Sequence, residues 1–187
     1  GDDHLDSYNG TNVLYGEDGS DYLYNYDGIV TEYGGNDNDV MYGGNINDVL
    51  IGGPGNDAIY SRGTVRFDRG DGQDNVGPWP NTGLPRIVLG EGISTEDITL
   101  TGYQGTRDAL IIKINGTSDQ IYIGNYFSYQ NSPDNPWPYL IEFSDSTTWD
   151  STIINQRVHM ITYSQGTANA DTLQGGEGDD NIRGLSG

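Results

Sequence analysis

The sequence predicts an all-β fold: a parallel β-roll with two short strands per coil, interrupted by a β-rich inserted domain. Three observations predict it. A carboxylate recurs every nine residues through the first third of the chain, an aliphatic residue recurs in phase with it, and glycine and asparagine crowd the positions between. Stepping back by nine from Asp57 meets Asp48, Asp39, Val30, Asp21, Asn12 and Asp3. The same step from Ile59 meets Leu50, Met41, Glu32, Leu23, Leu14 and Leu5. A flexible linker has no reason to hold an acid and an aliphatic in phase over so many repeats.

Nine residues divide into six of turn and three of strand. Glycine supplies the positive backbone angles that a tight turn needs, and Asn and Asp tolerate them next best. Along the strand, side chains alternate faces, so only the middle residue, the aliphatic, points inward. A helix is excluded, because nine residues are about two and a half helical turns and would throw successive aliphatics to opposite faces. One inward side chain per strand cannot fold alone. Stacked coils, with two sheets back to back, bury a continuous row of Leu, Met and Ile. Glu32 interrupts that row. In strict register it points into the roll, so either the register slips over residues 25–33 or that coil is distorted.

Composition narrows the partners. The 187 residues carry 28 Asp and Glu against 8 Lys and Arg, a net charge of −20, and residues 1–61 hold twelve acids with no Lys or Arg. Such a segment cannot compact by internal ion pairing and either stays expanded or is completed by cations. Nucleic acid is disfavoured as a partner, since a phosphate backbone selects a basic surface. Aspartate outnumbers glutamate 22 to six, which favours short carboxylates held close to turns. The absence of Cys removes disulfides and thiolate metal sites. No run reaches membrane-spanning length, and none of these residues reads as a signal segment. The chain begins and ends in mid-repeat, which reads as a segment of a longer array.

Three regions follow. Residues 1–63 form the first array, with eight of the fourteen tyrosines. Over residues 64–165 the period vanishes, and IVL at 87, ITL at 98, ALIIKI at 109, QIYI at 120 and YLIEF at 139 read as strands. The Pro-Trp-Pro stretches at 78–80 and 136–138 read as rigid loops, and residues Ser151 to Val158 as a short helix. In residues 166–187 the nonapeptide returns as GTANADTLQ and GGEGDDNIR, with Asp171 and Asp180 at the acid position and Leu173 and Ile182 inside.

GGPGNDAIY, GGEGDDNIR and their neighbours resemble the repeats-in-toxin (RTX) family, whose glycine-rich nonapeptide forms a calcium-binding β-roll. The middle region resembles the haemolysin-type calcium-binding-related domain embedded in such proteins, through FDRGDGQDNV, RIVLGEGISTEDITLTG, DALIIKI, DQIYIGNYF and IEFSDSTTW. Ser146 departs from it, standing where that domain usually has Gly in an F-x-D-G-T stretch.

The resemblance implies several Ca2+ ions as cofactors. A hard cation that takes six to eight oxygens suits turns offering backbone carbonyls and one carboxylate each, whereas zinc lacks Cys and finds only His4 and His159, and magnesium demands stricter octahedral geometry. In the family's roll, successive turns fall on opposite edges, so each ion lies between turns eighteen residues apart. That parity gives a first edge with Asp3, Asp21, Asp39 and Asp57, a complete column. A second edge has Asn12, Val30 and Asp48, and is defective: Val30 offers no ligand oxygen, and Ile46 replaces the glycine expected at a positive backbone angle. Asp37 holds the same glycine position on the first edge. Asp68, Asp71 and Asp74 form either a further calcium loop or a solvated turn whose acids cap backbone amides.

Strand positions that face outward place Tyr24, Tyr42 and Tyr60 on one face and Tyr15 and Tyr33 on the other. These rings either pack, beneath the middle region or against one another across strands, or, with Trp79 and Trp137, offer a platform for a cell-surface glycan or protein. No nucleophile, His and acid fall into a catalytic pattern, so no enzyme is expected here. The resemblance implies a calcium-binding, calcium-induced folding module of a large secreted or surface bacterial RTX protein, such as a toxin or adhesin, exported through a type I channel. The alternatives are a glycan- or protein-binding module of an adhesin, or an accessory repeat segment of a secreted enzyme.

Overall fold

The computed structural model describes residues 1–79, 82–105, 108–129, 140–165 and 179–183. The array forms β1 (His4–Ser7), β2 (Thr11–Asp18), β3 (Tyr22–Asn25), β4 (Ile29–Asn36), β5 (Val40–Gly43), β6 (Val49–Ile51) and β7 (Ala58–Ser61). β8 (Thr64–Phe67), β9 (Gln73–Pro78) and β10 (Arg86–Leu89) follow without leaving the same two sheets. Beyond them come β11 (Ile98–Gly105), β12 (Ala109–Ile114), β13 (Gln120–Gly124), α1 (Tyr126–Tyr129), β14 (Ile141–Glu142), β15 (Thr148–Trp149), α2 (Ser151–Arg157), β16 (His159–Gln165) and β17 (Asp179–Arg183). The result is a β-solenoid of about 5 turns, the parallel β-roll that the nonapeptide period predicts.

Odd strands of the roll join one sheet, in the order β1-β3-β5-β7-β9, and even strands the other, β10-β8-β6-β4-β2. All these pairings are parallel, and each aliphatic meets its counterpart: Leu5 opposite Leu23, Leu23 opposite Met41, Met41 opposite Ile59 and Ile59 opposite Val76. Leu23, Met41, Leu50, Ile59 and Val65 are fully buried, and burying each such side chain contributes roughly 1.5–3 kcal/mol. The first sheet then continues through β13, β12, β11, β16 and β17, and the second through β14 and β15. A single apolar core runs from Leu23 in the roll to Ile112, Ile121 and Ile154 in the middle region.

Period loss at residue 64 therefore does not end the roll. The turn between β7 and β8 is short, so Val49 lies opposite Thr64 and Asp57 donates its amide to Asp74 at a separation of 17 in place of 18. The side-chain alternation survives while the turn lengths change, because turns lie outside the sheets.

Glu32 does not slip. It sits in register between Leu14 and Leu50 and is fully buried. Neither of its carboxylate oxygens completes a hydrogen bond, although the Tyr42 backbone amide lies toward it, and burial, with Asp48 nearby, pushes its pKa up to about 8. The inward position is imposed by pairing on both sides, which outweighs the side chain's cost.

The expected helix is α2, capped by Asp150, whose carboxylate accepts the Ile153 amide at 2.8 Å. Ser146 adopts the left-handed angle itself, at φ 69, and closes its turn by donating its amide to the Phe143 carbonyl. Ile182 was expected inside, but on β17 at the sheet margin it is 46% exposed, because no described strand of the second sheet lies over it. Asp180 falls on β17, opposite Thr162. Asp171, Leu173, Trp137 and the second Pro-Trp-Pro stretch lie outside the described residues.

Candidate metal centre

The first edge is a stack of turns at residues 16–21, 34–39 and 52–57, each leading from a strand of the second sheet to one of the first. The backbone there needs left-handed angles. Gly35 and Gly53 adopt φ 116 and 92 at the second position of their turns, and Glu17 takes φ 71 at the equivalent place. Asp37 holds φ 78 where Gly19 holds φ 127, so the sequence expectation of a strained acid at that position is met.

These turns aim the column of aspartates at one another. The Asp3 amide donates to Asp21 Oδ1 at 2.6 Å, Asp21 to Asp39 at 2.8 Å, Asp39 to Asp57 at 2.9 Å and Asp57 to Asp74 at 3.0 Å. One oxygen of each carboxylate thus zips adjacent coils together. The other is orphaned: Oδ2 of Asp21, Asp39 and Asp57 is buried and has no hydrogen-bond partner. A buried carboxylate oxygen without a donor is unfavourable, and here three are stacked in a line.

What the orphaned oxygens face is set by the glycine that opens each turn. A Cβ added at Gly34 would stand 2.2 Å from Asp39 Oδ2 and 2.6 Å from the Gly52 carbonyl oxygen. At Gly16 it would stand 2.4 Å from Asp21 Oδ2 and 2.3 Å from the Gly34 carbonyl. At Gly52 it would meet Asp57 Oδ2 at 2.1 Å. A carboxylate oxygen and, at two of the three levels, the carbonyl of the next coil converge on a space that only glycine leaves open. This donor set is all oxygen, anionic and pre-arranged, and it fits a hard divalent cation. Burial holds Asp39 up at about 6 and Asp57 at about 7, which a cation would reverse. Among the described residues no group of three or more His, Asp or Glu converges as a metal site; the ligands at each level are one or two carboxylates completed by carbonyls.

The second edge is closed by the protein's own donors. Asn12 turns its amide onto the Tyr8 carbonyl at 2.7 Å. Asp48 accepts the Val30 amide at 2.9 Å on Oδ1 and the Asn45 amide at 2.8 Å on Oδ2, and Asn25 Nδ2 lies at 3.3 and 3.5 Å from the two oxygens. Where the first edge has Gly16, Gly34 and Gly52, this one places Ser7, Asn25, Gly43 and Ser61. Ser7 donates to Asn25 Oδ1 at 2.9 Å, filling the equivalent space with side chains. Ile46 does not adopt the positive angle expected of it; the turn tightens so that the Asp48 amide reaches the Asn45 carbonyl at 3.1 Å, and the strain is avoided.

The two readings of Asp68, Asp71 and Asp74 separate in the structure. Asp71 Oδ2 caps the Asp68 amide at 2.7 Å, a turn role, and Asp68 pairs with Arg66 at 3.0 Å. Asp74 instead is the next member of the first-edge column. Burial raises Asp74 to about 8, with Asp57, Asp71 and Asp119 adding repulsion, and raises Asp71 to about 6. Asp119, from the turn between β12 and β13, accepts the Gly70 amide at 2.8 Å. Asp119 opens the DQIYIGNYF stretch that carries the resemblance, but no sequence signal placed it beside this column, because its partner lies 49 residues away.

A parallel β-roll with buried, unpartnered carboxylate oxygens stacked along one edge defines a cation-binding repeat protein. The profile of the RTX calcium-binding nonapeptide repeat (4 copies) matches residues 1–29, 33–63 and 165–187, and that of the haemolysin-type calcium binding protein related domain matches residues 110–152. The chain carries RTX calcium-binding nonapeptide repeats together with that related domain, which makes it a calcium-binding repeat module. The break in the repeat match falls on Val30 and Glu32, the two residues that depart from the period. No curated protein matches the chain. Among the described residues no helix is long and apolar enough to cross a membrane.

Proposed function

We propose that this segment is a non-catalytic folding module of a secreted or cell-surface bacterial protein, which remains unfolded while calcium is scarce and folds where it is plentiful. The three stacked, unpartnered Oδ2 atoms of Asp21, Asp39 and Asp57 carry the reading. Asp3, Asp21, Asp39, Asp57 and Asp74, with the Gly34 and Gly52 carbonyls, hold the ions of the first edge. Asp71 supports the end of that column, and Asp48 and Asn12 serve the second edge as internal hydrogen-bonding groups. Asp171 and Asp180 occupy the same position of the repeat and are assigned as ligands by that position. Bound calcium would supply the positive charge that the array, with twelve acids and no Lys or Arg over residues 1–61, cannot supply internally. Export through a type I channel follows from the same logic, since an unfolded anionic chain passes a narrow conduit before its ions arrive.

The test is far-UV circular dichroism of the 187-residue chain in chelator and in millimolar calcium, with stoichiometry by equilibrium dialysis. A gain of β structure on adding calcium supports the reading. Identical spectra in the two conditions overturn it.

A further inference from the structure

A cavity of about 380 Å³ opens beside the second edge, away from the orphaned carboxylates, and nothing in the calcium chemistry uses it. Its walls include Asn25, Tyr26, Asp27, Asn45, Arg62 and Trp79. The volume lies at the small end of ligand pockets, which span about 300–1,000 Å³.

The aromatic wall is built, not incidental. Trp79 follows β9 and is fixed at its backbone, its amide donating to the Ser61 carbonyl at 3.1 Å and its carbonyl accepting from Thr82 Oγ1 at 2.7 Å. Its ring stands edge-on to Tyr24 at 5.7 Å and to Tyr42 at 6.1 Å. It also crosses Gly44, where a Cβ would stand 3.3 Å from the indole. Tyr24 meets Tyr26 at 4.4 Å, and Tyr26 stacks on Tyr8 at 4.7 Å. Tyr26 nevertheless remains 56% exposed and Trp79 half-buried, so both rings present surface to the cavity. The tyrosine face thus receives Trp79, and not the sheet of the middle region, as its cover.

The polar groups are of both kinds. Asp27 Oδ1 accepts the Gly28 amide at 2.8 Å, leaving Oδ2 as an acceptor at the rim. Asn45 Oδ1 accepts from Asn47, which leaves its Nδ2 as a donor. Asn25 is committed to Ser7 and Asp48 and forms a fixed part of the wall. An anion would meet Asp27 and a net charge of −20, and a cation would meet Arg62. A purely apolar ligand would strand Asp27 and Asn45. A neutral ring with one apolar face and several hydroxyls satisfies every wall: its C–H face lies on an aromatic ring, and its hydroxyls donate to Asp27 and accept from Asn45.

We propose that this cavity is a binding site for a neutral saccharide, with Trp79 and Tyr26 as the stacking surface and Asp27 as the principal hydroxyl acceptor. The proposal goes beyond the calcium-dependent folding reading and uses it only to set the conditions of the assay.

The test is saturation-transfer NMR on the 187-residue chain with glucose, galactose, mannose, N-acetylglucosamine and fucose. Each sugar is titrated in calcium and in chelator, with circular dichroism recorded on the same samples. At least one of these sugars should bind saturably to the folded chain. Asp27→Ala should weaken it about tenfold, as expected for one charge-assisted hydrogen bond, Trp79→Ala should abolish it, and Trp79→Phe should restore part. Glu91→Ala, in an exposed turn away from the cavity, serves as the control variant. A folded chain that binds none of the five sugars overturns the proposal and leaves the calcium reading standing. Binding that Asp27→Ala and Trp79→Ala both leave intact overturns it too. A folded chain with unchanged spectra in chelator overturns the calcium reading alone.

Discussion

The Asp39 backbone amide donates to Asp57 Oδ1 at 2.9 Å, while Oδ2 of the same Asp57 carboxylate is buried with no partner. One side chain thereby performs two tasks, joining neighbouring coils through one oxygen and presenting the other to the space beside Gly52. The tasks separate under mutation. Asp39→Ala removes both a coil-to-coil hydrogen bond and a charged ligand. It should lower calcium stoichiometry and cost roughly 3–5 kcal/mol in calcium, as for removing one member of a buried charge pair. Asn12→Ala on the closed edge removes only the side-chain bonds to the Tyr8 and Asn9 carbonyls and should cost about 1 kcal/mol with unchanged stoichiometry. Equilibrium dialysis and calcium-saturated urea melts of the two variants decide it; equal losses would show that the edges are equivalent.

The pH dependence should reverse with calcium. Burial raises Asp39 to about 6, Asp57 to about 7 and Asp74 to about 8 from an unfolded value near 3.8. Groups raised on folding stabilise the fold fully below their unfolded pKa and lose that contribution as pH rises through the folded values. In chelator, structure should therefore be greatest near pH 4 and decline toward pH 8. In calcium the ligands must be ionised, so binding releases protons and stability should increase over the same range. Circular dichroism at pH 5 and pH 8, with and without calcium, tests both signs, and a parallel response in the two conditions would refute the assignment.

Glu32 has a separate signature because it lies in the core row between Leu14 and Leu50. With its pKa up to about 8 against 4.5 unfolded, it takes up a proton on folding between those values. Its contribution weakens as pH rises through that window, by about 1.4 kcal/mol for each pH unit crossed. Glu32→Leu should stabilise the chain by a few kcal/mol at pH 8 and by much less at pH 4.5, without altering calcium stoichiometry. Urea midpoints at the two pH values measure this difference. The same stabilisation at both would show that the carboxylate is solvated.

What could be read in the sequence and what could not divide along a physical line. The period fixed which residues point inward and which turns share an edge, because a repeat of nine imposes both. Asp3, Asp21, Asp39 and Asp57 fall in one column for that reason. Asp74 belongs to the same column but was hidden by one missing residue, since a turn can shorten without disturbing the strands it joins. The expectation of either a slip or a distorted coil at Glu32 rested on side-chain cost alone and underweighted the pairing on both flanks, which keeps the register. Asp119 depends on a contact between distant segments, which no local pattern encodes.

That contact carries the last prediction. Asp119 Oδ2 accepts the Gly70 amide at 2.8 Å and the adjacent Gln120 amide reaches the Gly72 carbonyl at 2.8 Å, so the turn between β12 and β13 is clamped onto the loop that ends the aspartate column. β13 then pairs in parallel with β9, with Ile121 opposite Asp74 and Ile123 opposite Val76. The first sheet therefore crosses from roll to middle region through hydrogen bonds. The two regions share one buried core. They should unfold in calcium as a single cooperative transition, with near-ultraviolet and far-ultraviolet circular dichroism superimposing. Asp119→Ala leaves the Gly70 amide without its acceptor and should lower the stability measured from that one transition by about 1–3 kcal/mol. It should also weaken calcium binding, although Asp119 lies outside every repeat, because the loop bearing Asp71 and Asp74 loses its clamp. Two resolved transitions, with the middle region persisting in chelator, would show instead that the shared sheet does not couple them.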